Sequence, residues 1–341
     1  MKLAVFAFSR RGRDTARRCL AALAGPGDEY RAYASESWAG EGFSPIRPPL
    51  ADFTAPVFAW ADAMVFVGAC GIAVRAIAPH VRDKGTDPAV LAVDELGQFV
   101  IPLLSGHIGG ANRLAARLAE AVGATAVVTT ATDVNRRFSV DEWSARQGLY
   151  IDDMAAAKAV SAAILEGPVP VWSDFPIAGD LPAGLEPGES GPLGICISWR
   201  RKFPFDRTLL LVPPVLRLGI GCRRGTSSGA IAALTDQLLA EHNVHPAAVG
   251  TVATIDLKKD ETGLLDFCRD RGWPLSCYSA EELAAVEGDF TPSDFVRSVT
   301  GVDNVCERAA LLGAERLLVK KTARGGVTAA LALNAWEVRF G

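Results

Sequence analysis

Ile101-Pro102-Leu103-Leu104-Ser105-Gly106-His107-Ile108-Gly109-Gly110-Ala111-Asn112 passes from an apolar, strand-like run into an amphipathic helix within a few residues, and its reading decides the fold. Beyond the glycines, Ile108, Ala111, Leu114, Ala115, Leu118 and Val122 recur at helical spacing, while Asn112, Arg113, Arg117 and Glu120 fall between them on an expected solvent face. The spacing predicts a helix that begins near His107. Gly106, Gly109 and Gly110 are poor helix-interior residues, at about 1 kcal/mol each against alanine, but at a first turn they let the backbone pass close to a ligand. Free N–H groups there, with the helix dipole, favour a negative or developing-negative oxygen, and His107 beside them can change charge near neutral pH. That combination suits hydrolysis, with His107 as general base on water and the Gly109 and Gly110 region as oxyanion donor. A plain strand-to-helix turn, with glycines for close packing and a capping histidine, is the alternative reading.

Outward from this turn, strands and helices alternate. Leu3 to Phe8 is a short β-favouring run, followed by the turn Ser9-Arg10-Arg11-Gly12 and a helix carrying Ala16, Cys19, Leu20 and Leu23. Ala63 to Val67 repeats the unit, with Gly68-Ala69-Cys70-Gly71 as turn and a helix that stops at Pro79. Ala89 to Val93 and Gln98 to Leu103 read as two β-favouring runs joined by a hairpin or short loop, Asp94-Glu95-Leu96-Gly97, and Ala126 to Thr130 as a buried strand ending in Ala131-Thr132-Asp133. Such alternation implies a mostly parallel sheet with ligands at the carboxyl ends of its strands.

The pattern weakens between Asn135 and Pro214, where one helix (Asp153 to Leu165) and short strands near Val169, Gly194 and Thr208 lie among proline- and glycine-rich connections. A new α/β series opens at Val215 and runs to an edge strand, Ala335 to Phe340. The expected architecture is therefore α/β: two mostly parallel-sheet domains, 1–134 and 215–341, joined by a small, irregular middle α/β domain and linker, 135–214.

Composition narrows the function. Hydrophobic residues make up 49% and charged residues 22% of the 341, which is ordinary for a globular α/β chain. A net charge of −4 argues against a general nucleic-acid binder, so any anion site must be local. No stretch reaches membrane-span length, the start lacks a signal pattern, and the seven cysteines include no C-x-x-C pair, which together place the chain in the cytoplasm. With four histidines and no H-E-x-x-H pattern, no protein-bound catalytic metal is expected.

Three basic turns stand out. Ser9-Arg10-Arg11-Gly12 and Cys222-Arg223-Arg224-Gly225 each put an arginine pair between a strand and a helix, and Lys320-Lys321-Thr322-Ala323-Arg324-Gly325-Gly326 lies between two expected strands. Guanidinium groups so placed hold carboxylates or phosphates by paired hydrogen bonds, so together the turns suggest a polyanionic small molecule. Gly219-Ile220-Gly221-Cys222-Arg223-Arg224-Gly225 invites a dinucleotide reading, but its spacing is G-x-G-x-x-x-G and no acidic residue clearly closes a second strand about 20 positions on. Asp94, Glu95, Asp133, Asp141 and Glu142 fall near strand ends, and Asp133 is the one expected to orient His107.

The ordered segments 68–79 (GACGIAVRAIAP), 83–90 (DKGTDPAV), 104–112 (LSGHIGGAN) and 129–134 (TTATDV) resemble the cobalamin-biosynthesis family CbiG, the cobalt-precorrin-5A hydrolases. The last third, with 219–226 (GIGCRRGT) and 319–327 (VKKTARGGV), looks like the carboxy-terminal module that this family shares with CobE proteins. The resemblance implies a hydrolase of the oxygen-independent route to vitamin B12, acting in corrin ring contraction. It opens the δ-lactone between ring A and carbon 20 and releases acetaldehyde to give cobalt-precorrin-5B. The substrate implied is a tetrapyrrole fringed by carboxylates that carries its own cobalt, so no cofactor is expected, and transient contact with neighbouring corrin methyltransferases is. Within the matched segments, Arg75 and Lys84 join Arg10, Arg11, Arg223, Arg224, Lys320 and Arg324 as expected substrate-binding residues, and His107, Asp133, Gly109 and Gly110 as the expected catalytic set. A non-catalytic corrinoid carrier using the same basic turns is the alternative.

Overall fold

The computed structural model describes residues 1–340 apart from Lys84, His107, Ile108 and Arg136, and for Thr132 and Asp133 it describes the backbone alone. The chain forms two compact units, Met1–Glu142 and Trp143–Gly341.

In the first unit, β1 (Lys2–Ala7), α1 (Arg10–Leu23), β2 (Glu29–Ser35), β3 (Ser44–Ile46), α2 (Leu50–Trp60), β4 (Ala63–Val67), α3 (Cys70–Ile77), β5 (Ala89–Val93), β6 (Phe99–Leu104), α4 (Ala111–Val122), β7 (Thr125–Ala126) and α5 (Ala131–Val134) follow one another. The sheet runs β3-β2-β1-β4-β5-β6-β7 and is parallel except between β5 and β6. Side-chain alternation in β1 explains why it is central: Leu3, Val5 and Ala7 face α1 and α4, while Ala4 and Phe6 face α2 and α3, and all five are fully buried. Both faces are thus covered, as a parallel sheet requires.

The single antiparallel step has a consequence for every loop. Val90 pairs with Leu104 and Val93 with Val100, so β6 ends at the edge where β1, β4 and β5 begin. The turn after Leu104 therefore lies at the opposite edge of the sheet from the turns after β1 and β4.

The second unit holds α6 (Val140–Arg146, which straddles the division), β8 (Tyr150–Ile151), α7 (Met154–Glu166), β9 (Val169–Ser173), β10 (Ile177–Ala178), β11 (Leu185–Pro187), β12 (Leu193–Ile197) and β13 (Arg207–Val212). The weakly patterned middle builds a regular sheet, β11-β9-β12-β13-β8, with Leu209 to Val212 fully buried. Here α7 starts at an Asp153 cap whose carboxylate accepts from the Ala155 N–H. Then come β14 (Leu216–Cys222), α8 (Ser228–Glu241), β15 (Val249–Ile255), α9 (Thr262–Arg271), β16 (Leu275–Tyr278), α10 (Ala280–Ala284), α11 (Asp294–Thr300), α12 (Cys306–Leu311), β17 (Arg316–Arg324), β18 (Val327–Leu333) and β19 (Val338–Arg339). Their sheet is ordered β16-β15-β14-β18-β17, with β18 antiparallel to both neighbours. The expected closing edge strand instead leaves this sheet: β19 pairs with β10, and Trp143 donates its indole N–H to the Arg339 carbonyl at 2.9 Å.

Gly219 shows why one glycine cannot be replaced. An ideal Cβ there would stand 1.8 Å from the Cys306 carbonyl oxygen, so α12 packs directly on the β14 backbone. Of the glycines of 219–225 that suggested a dinucleotide turn, Gly219 serves this packing, Gly221 lies against Thr328, and Gly225 has open space around it and takes a φ of +76°.

Candidate active site

The glycine turn is built differently from its sequence reading. Helix α4 starts at Ala111, four residues later than expected, behind Gly110 with φ +77°. Ser105 also takes a left-handed φ of +56°. The Ala111 N–H donates to the Ser105 carbonyl at 3.1 Å and the Asn112 N–H to Gly106 at 3.0 Å, so these two first-turn donors close the loop on itself. Asn112 is buried rather than solvent-facing, because it donates to Thr130 Oγ1 at 2.7 Å. Gly109 is needed on steric grounds, since a Cβ there would fall 2.4 Å from Ser105 Cβ.

Two further segments meet the turn. Ser105 donates its hydroxyl to the Asp87 carbonyl at 2.9 Å, and the buried Asp87 carboxylate accepts from the N–H groups of Arg82 and Asp83 at 2.8 and 3.1 Å. The Asn112–Thr130 bond ties the start of α4 to the residue before α5, whose backbone includes Asp133. Stretches 83–90, 104–112 and 129–134, far apart in the chain, are thus joined at one end of β5, β6 and β7. His107, Lys84 and the Asp133 side chain lie outside the described residues. Arg113, passed over in the sequence as a surface residue, has its guanidinium beside Gly110.

The other expected residues of the first unit stand elsewhere. Arg10 and Arg11 are exposed in the first turn of α1, which Ser9 caps by accepting from the Gly12 N–H at 3.0 Å. They occupy the opposite sheet edge from the glycine turn, because β6 runs against β1. Arg75 is exposed on α3 and folds back toward Gly71. His80, the rival base, bonds the Ala51 carbonyl through Nε2 at 2.8 Å and packs beside Phe58, which is a structural role.

In the second unit, a cavity of about 780 Å³ opens where β14 and β15 end and β18 begins. Arg223 and Arg224 lie on its mouth in a braced turn. The Arg223 N–H donates to the Gly326 carbonyl at 3.1 Å, the Gly225 N–H to Glu261 at 2.7 Å, and Thr226 Oγ1 to the Arg223 carbonyl at 2.7 Å. Burial works to raise the Glu261 carboxyl, but the hydrogen bonds from Lys258 and Gly225, with the charges of Lys258 and Arg224, hold it below the usual range. This turn precedes the helix in the open loop, unlike Arg10 and Arg11, so the two arginine pairs are alike in sequence alone.

The third basic turn is a hairpin. Lys320 and Arg324 sit in β17, Lys320 against Asp289 at 2.7 Å and Arg324 against Gln237 at 2.7 Å, while Lys321, part of the basic turn but not among the expected substrate-binding residues, lines the cavity. Opposite stand Phe295, Val296 and Val299 of α11, an element with no clear sequence pattern. Behind them the fully buried Glu307 accepts from Thr291 N at 2.7 Å, Thr291 Oγ1 at 3.0 Å, Asn304 Nδ2 at 2.7 Å and Lys321 N at 2.6 Å. Asp303 is pulled up by burial but held below the usual carboxylate range by Arg308 and Arg297. Burial pushes the Cys222 thiol up, and that of Cys306 up to about 12, so neither is a thiolate at neutral pH.

Among the described residues no group of three or more His, Cys, Asp or Glu could hold a metal ion, and no helix is long and apolar enough to cross a membrane.

Comparison with known proteins adds three consecutive family matches: Cobalamin synthesis G N-terminal over residues 52–133, Cobalamin biosynthesis central region over 138–213, and Cobalamin synthesis G C-terminus over 216–332. A cobalt-precorrin-5A hydrolase of Salmonella typhimurium is 36% identical over 96% of this chain and 97% of its own. One from Priestia megaterium is 35% identical over 80% of this chain and 79% of its own. A CobE protein of Sinorhizobium is 36% identical over 34% of this chain and 79% of its own.

Proposed function

Since the chain belongs to the cobalamin synthesis G family, we infer that it is a hydrolase of cobalt-precorrin-5A in the anaerobic route to vitamin B12. The observation that carries this is the 36% identity to the Salmonella hydrolase over 96% of the chain. The cobalt arrives within the substrate, so the protein's task is positioning and proton transfer.

The reaction asks for a base twice. Water loses a proton as it adds to the lactone carbonyl, and breakage of the ester C–O bond leaves a carboxylate on ring A and a hydroxyl on carbon 20. Loss of that hydroxyl proton lets the bond from carbon 20 to the macrocycle break, with its electron pair kept by the ring and acetaldehyde released. Each half develops charge on an oxygen, which a glycine turn at a helix start is suited to receive. We assign the base to His107, oriented by Asp133, and oxyanion binding to the Gly109 and Gly110 backbone with Arg113 beside it. What supports the assignment is that Thr130, just ahead of α5, is bonded to Asn112 at the start of α4. We also assign the binding of peripheral carboxylates to basic residues, Arg223 and Arg224 foremost. Passage of the macrocycle from and to corrin methyltransferases in the cytoplasm completes the reading.

Anaerobic incubation with cobalt-precorrin-5A, with aldehyde trapping and product mass, tests it. Stoichiometric acetaldehyde with the matching mass change is expected; unchanged substrate bound to the protein would favour the carrier.

A further inference from the structure

We propose that the cavity of the second unit seats the corrinoid macrocycle, its apolar face against Phe295, Val296 and Val299 and its peripheral carboxylates on Arg223, Arg224 and Lys321. The identity of the ligand rests on the hydrolase reading above; the chemistry of the site does not. Its volume of about 780 Å³ belongs to small-molecule sites, which run to roughly 300–1,000 Å³.

Charge is the first argument. Several cations of this unit sit in ion pairs: Arg269 with Asp266, Arg271 with Asp236, Lys320 with Asp289, and at the cavity itself Lys258 with Glu261. Arg223 and Lys321 are in no ion pair among the described residues, Arg224 acts on Glu261 through charge alone while that carboxylate is paired with Lys258, and the one carboxylate in the lining, Asp303, is held by Arg308 and Arg297. In a chain of net charge −4, three cations outside the ion pairs of the described residues and gathered around one mouth are a local demand for anions.

Surface chemistry is the second. Phe295 is 69% exposed, Leu257 61% and Val299 60%, and all three belong to the lining. Their apolar area is gathered at a cavity rather than scattered, which marks a binding surface. A small sugar phosphate would not need that wall, and a fatty acid would not use three cations. A broad apolar ring fringed with several carboxylates uses both. The parts are also fixed in advance: Arg223 lies across Gly326, Glu261 holds the arginine turn, and Glu307 holds Lys321.

The test titrates the full chain with cobyrinic acid, a carboxylate-fringed corrin, and with its fully methyl-esterified form, read by corrin absorbance. Wild type should bind the acid with an affinity that falls as salt rises. Arg223→Ala/Arg224→Ala should weaken acid binding on the order of tenfold or more, equivalent to about 1.4 kcal/mol, and flatten the salt dependence. Val299→Gln, a change at an exposed position that leaves the core intact and adds no charge, should weaken acid and ester alike, while Arg269→Ala should change neither. Failure of wild type to bind the acid, or unaltered binding in both cavity variants, would overturn the proposal. Acetaldehyde release on the same preparations separates the two claims. Release undiminished in the cavity variants sinks the cavity and spares the hydrolase; wild-type binding lost in those variants, but with no release, does the reverse.

Discussion

Glu307→Gln is the sharpest probe of the cavity wall, because the shape of the side chain is kept and only its acceptor count changes. Oε1 of Glu307 accepts from Lys321 N and Thr291 Oγ1, and Oε2 from Thr291 N and Asn304 Nδ2. A glutamine has one oxygen and one NH2. With the oxygen in the Oε2 place, the NH2 can be accepted by the Thr291 hydroxyl but meets the Lys321 N–H donor to donor; with it in the Oε1 place, the NH2 meets two donors that cannot turn away. The first orientation is therefore favoured and loses one charge-assisted bond, at about 1.5–3 kcal/mol, while the remaining ones weaken to neutral bonds of about 1 kcal/mol each. A loss of roughly 3 kcal/mol follows, concentrated at Lys321. Native-state amide exchange reads it directly: protection of Lys321 should drop by about a hundredfold, with a smaller loss at Thr291. If Lys321 and Thr291 lose protection equally, or neither changes, the carboxylate is not the pin that the distances describe.

Four other outcomes follow from the same geometry. Gly219→Ala should cost about 3 kcal/mol or more by denaturant unfolding, since its Cβ would overlap the Cys306 carbonyl, whereas Gly225→Ala, with φ +76° but open space, should cost only about 1–2 kcal/mol. His107→Ala should slow single-turnover acetaldehyde release by about a hundredfold, while His80→Ala, which removes the bond to Ala51 and the packing beside Phe58, should leave the chemical step near normal; the reverse ranking would move the base. Gly110→Val should lose both the φ of +77° and oxyanion access, with a rate fall on the order of a hundredfold, and full activity in a folded variant would remove that role. Glu261 has its carboxyl lowered in the folded state, so its stabilisation is complete above the ordinary value of 4.5 and is lost as pH falls below that through the depressed one; amide protection of Gly225 should follow this course and become flat in Glu261→Gln.

Most of the fold was legible because its signals are local. The apolar runs at Leu3, Ala63, Ala89 and Leu216 carry their own burial, and the periodicities of α4 and α8 need no partner to be seen. Strand direction left a single signal, the short connection between Ala89–Val93 and Phe99–Leu104, whose hairpin reading agrees with the antiparallel pairing found; that one reversal sends Arg10 and Arg11 to the edge opposite the glycine turn. The middle sheet was hidden. Its strands are two to six residues long and separated by proline-rich connections, so each lacks a full period of pattern and is specified by its neighbours.

The site residues divide along the same line. Glycine is ambiguous in sequence, because a missing Cβ serves the approach of a ligand and the approach of a helix equally well. At Gly219 the neighbour is the Cys306 carbonyl, and at Gly109 it is Ser105, so in both places the protein's own backbone and side chains use the space. Basic residues are ambiguous too, because a cation reads the same whether or not an acid waits across the fold. Lys320 and Lys321 are adjacent in sequence, yet one ends on Asp289 and the other lines a cavity without an acidic partner among the described residues. Lys320 and Lys321 fall where the register of β17 against β18 shifts between Val319 and Thr322, and there the pair divides, whereas the pair at 223 and 224 lies in a braced loop and keeps both charges at the mouth. The distinction that matters for binding is therefore set by backbone geometry around each arginine and lysine, and charge counts along the chain carry no trace of it.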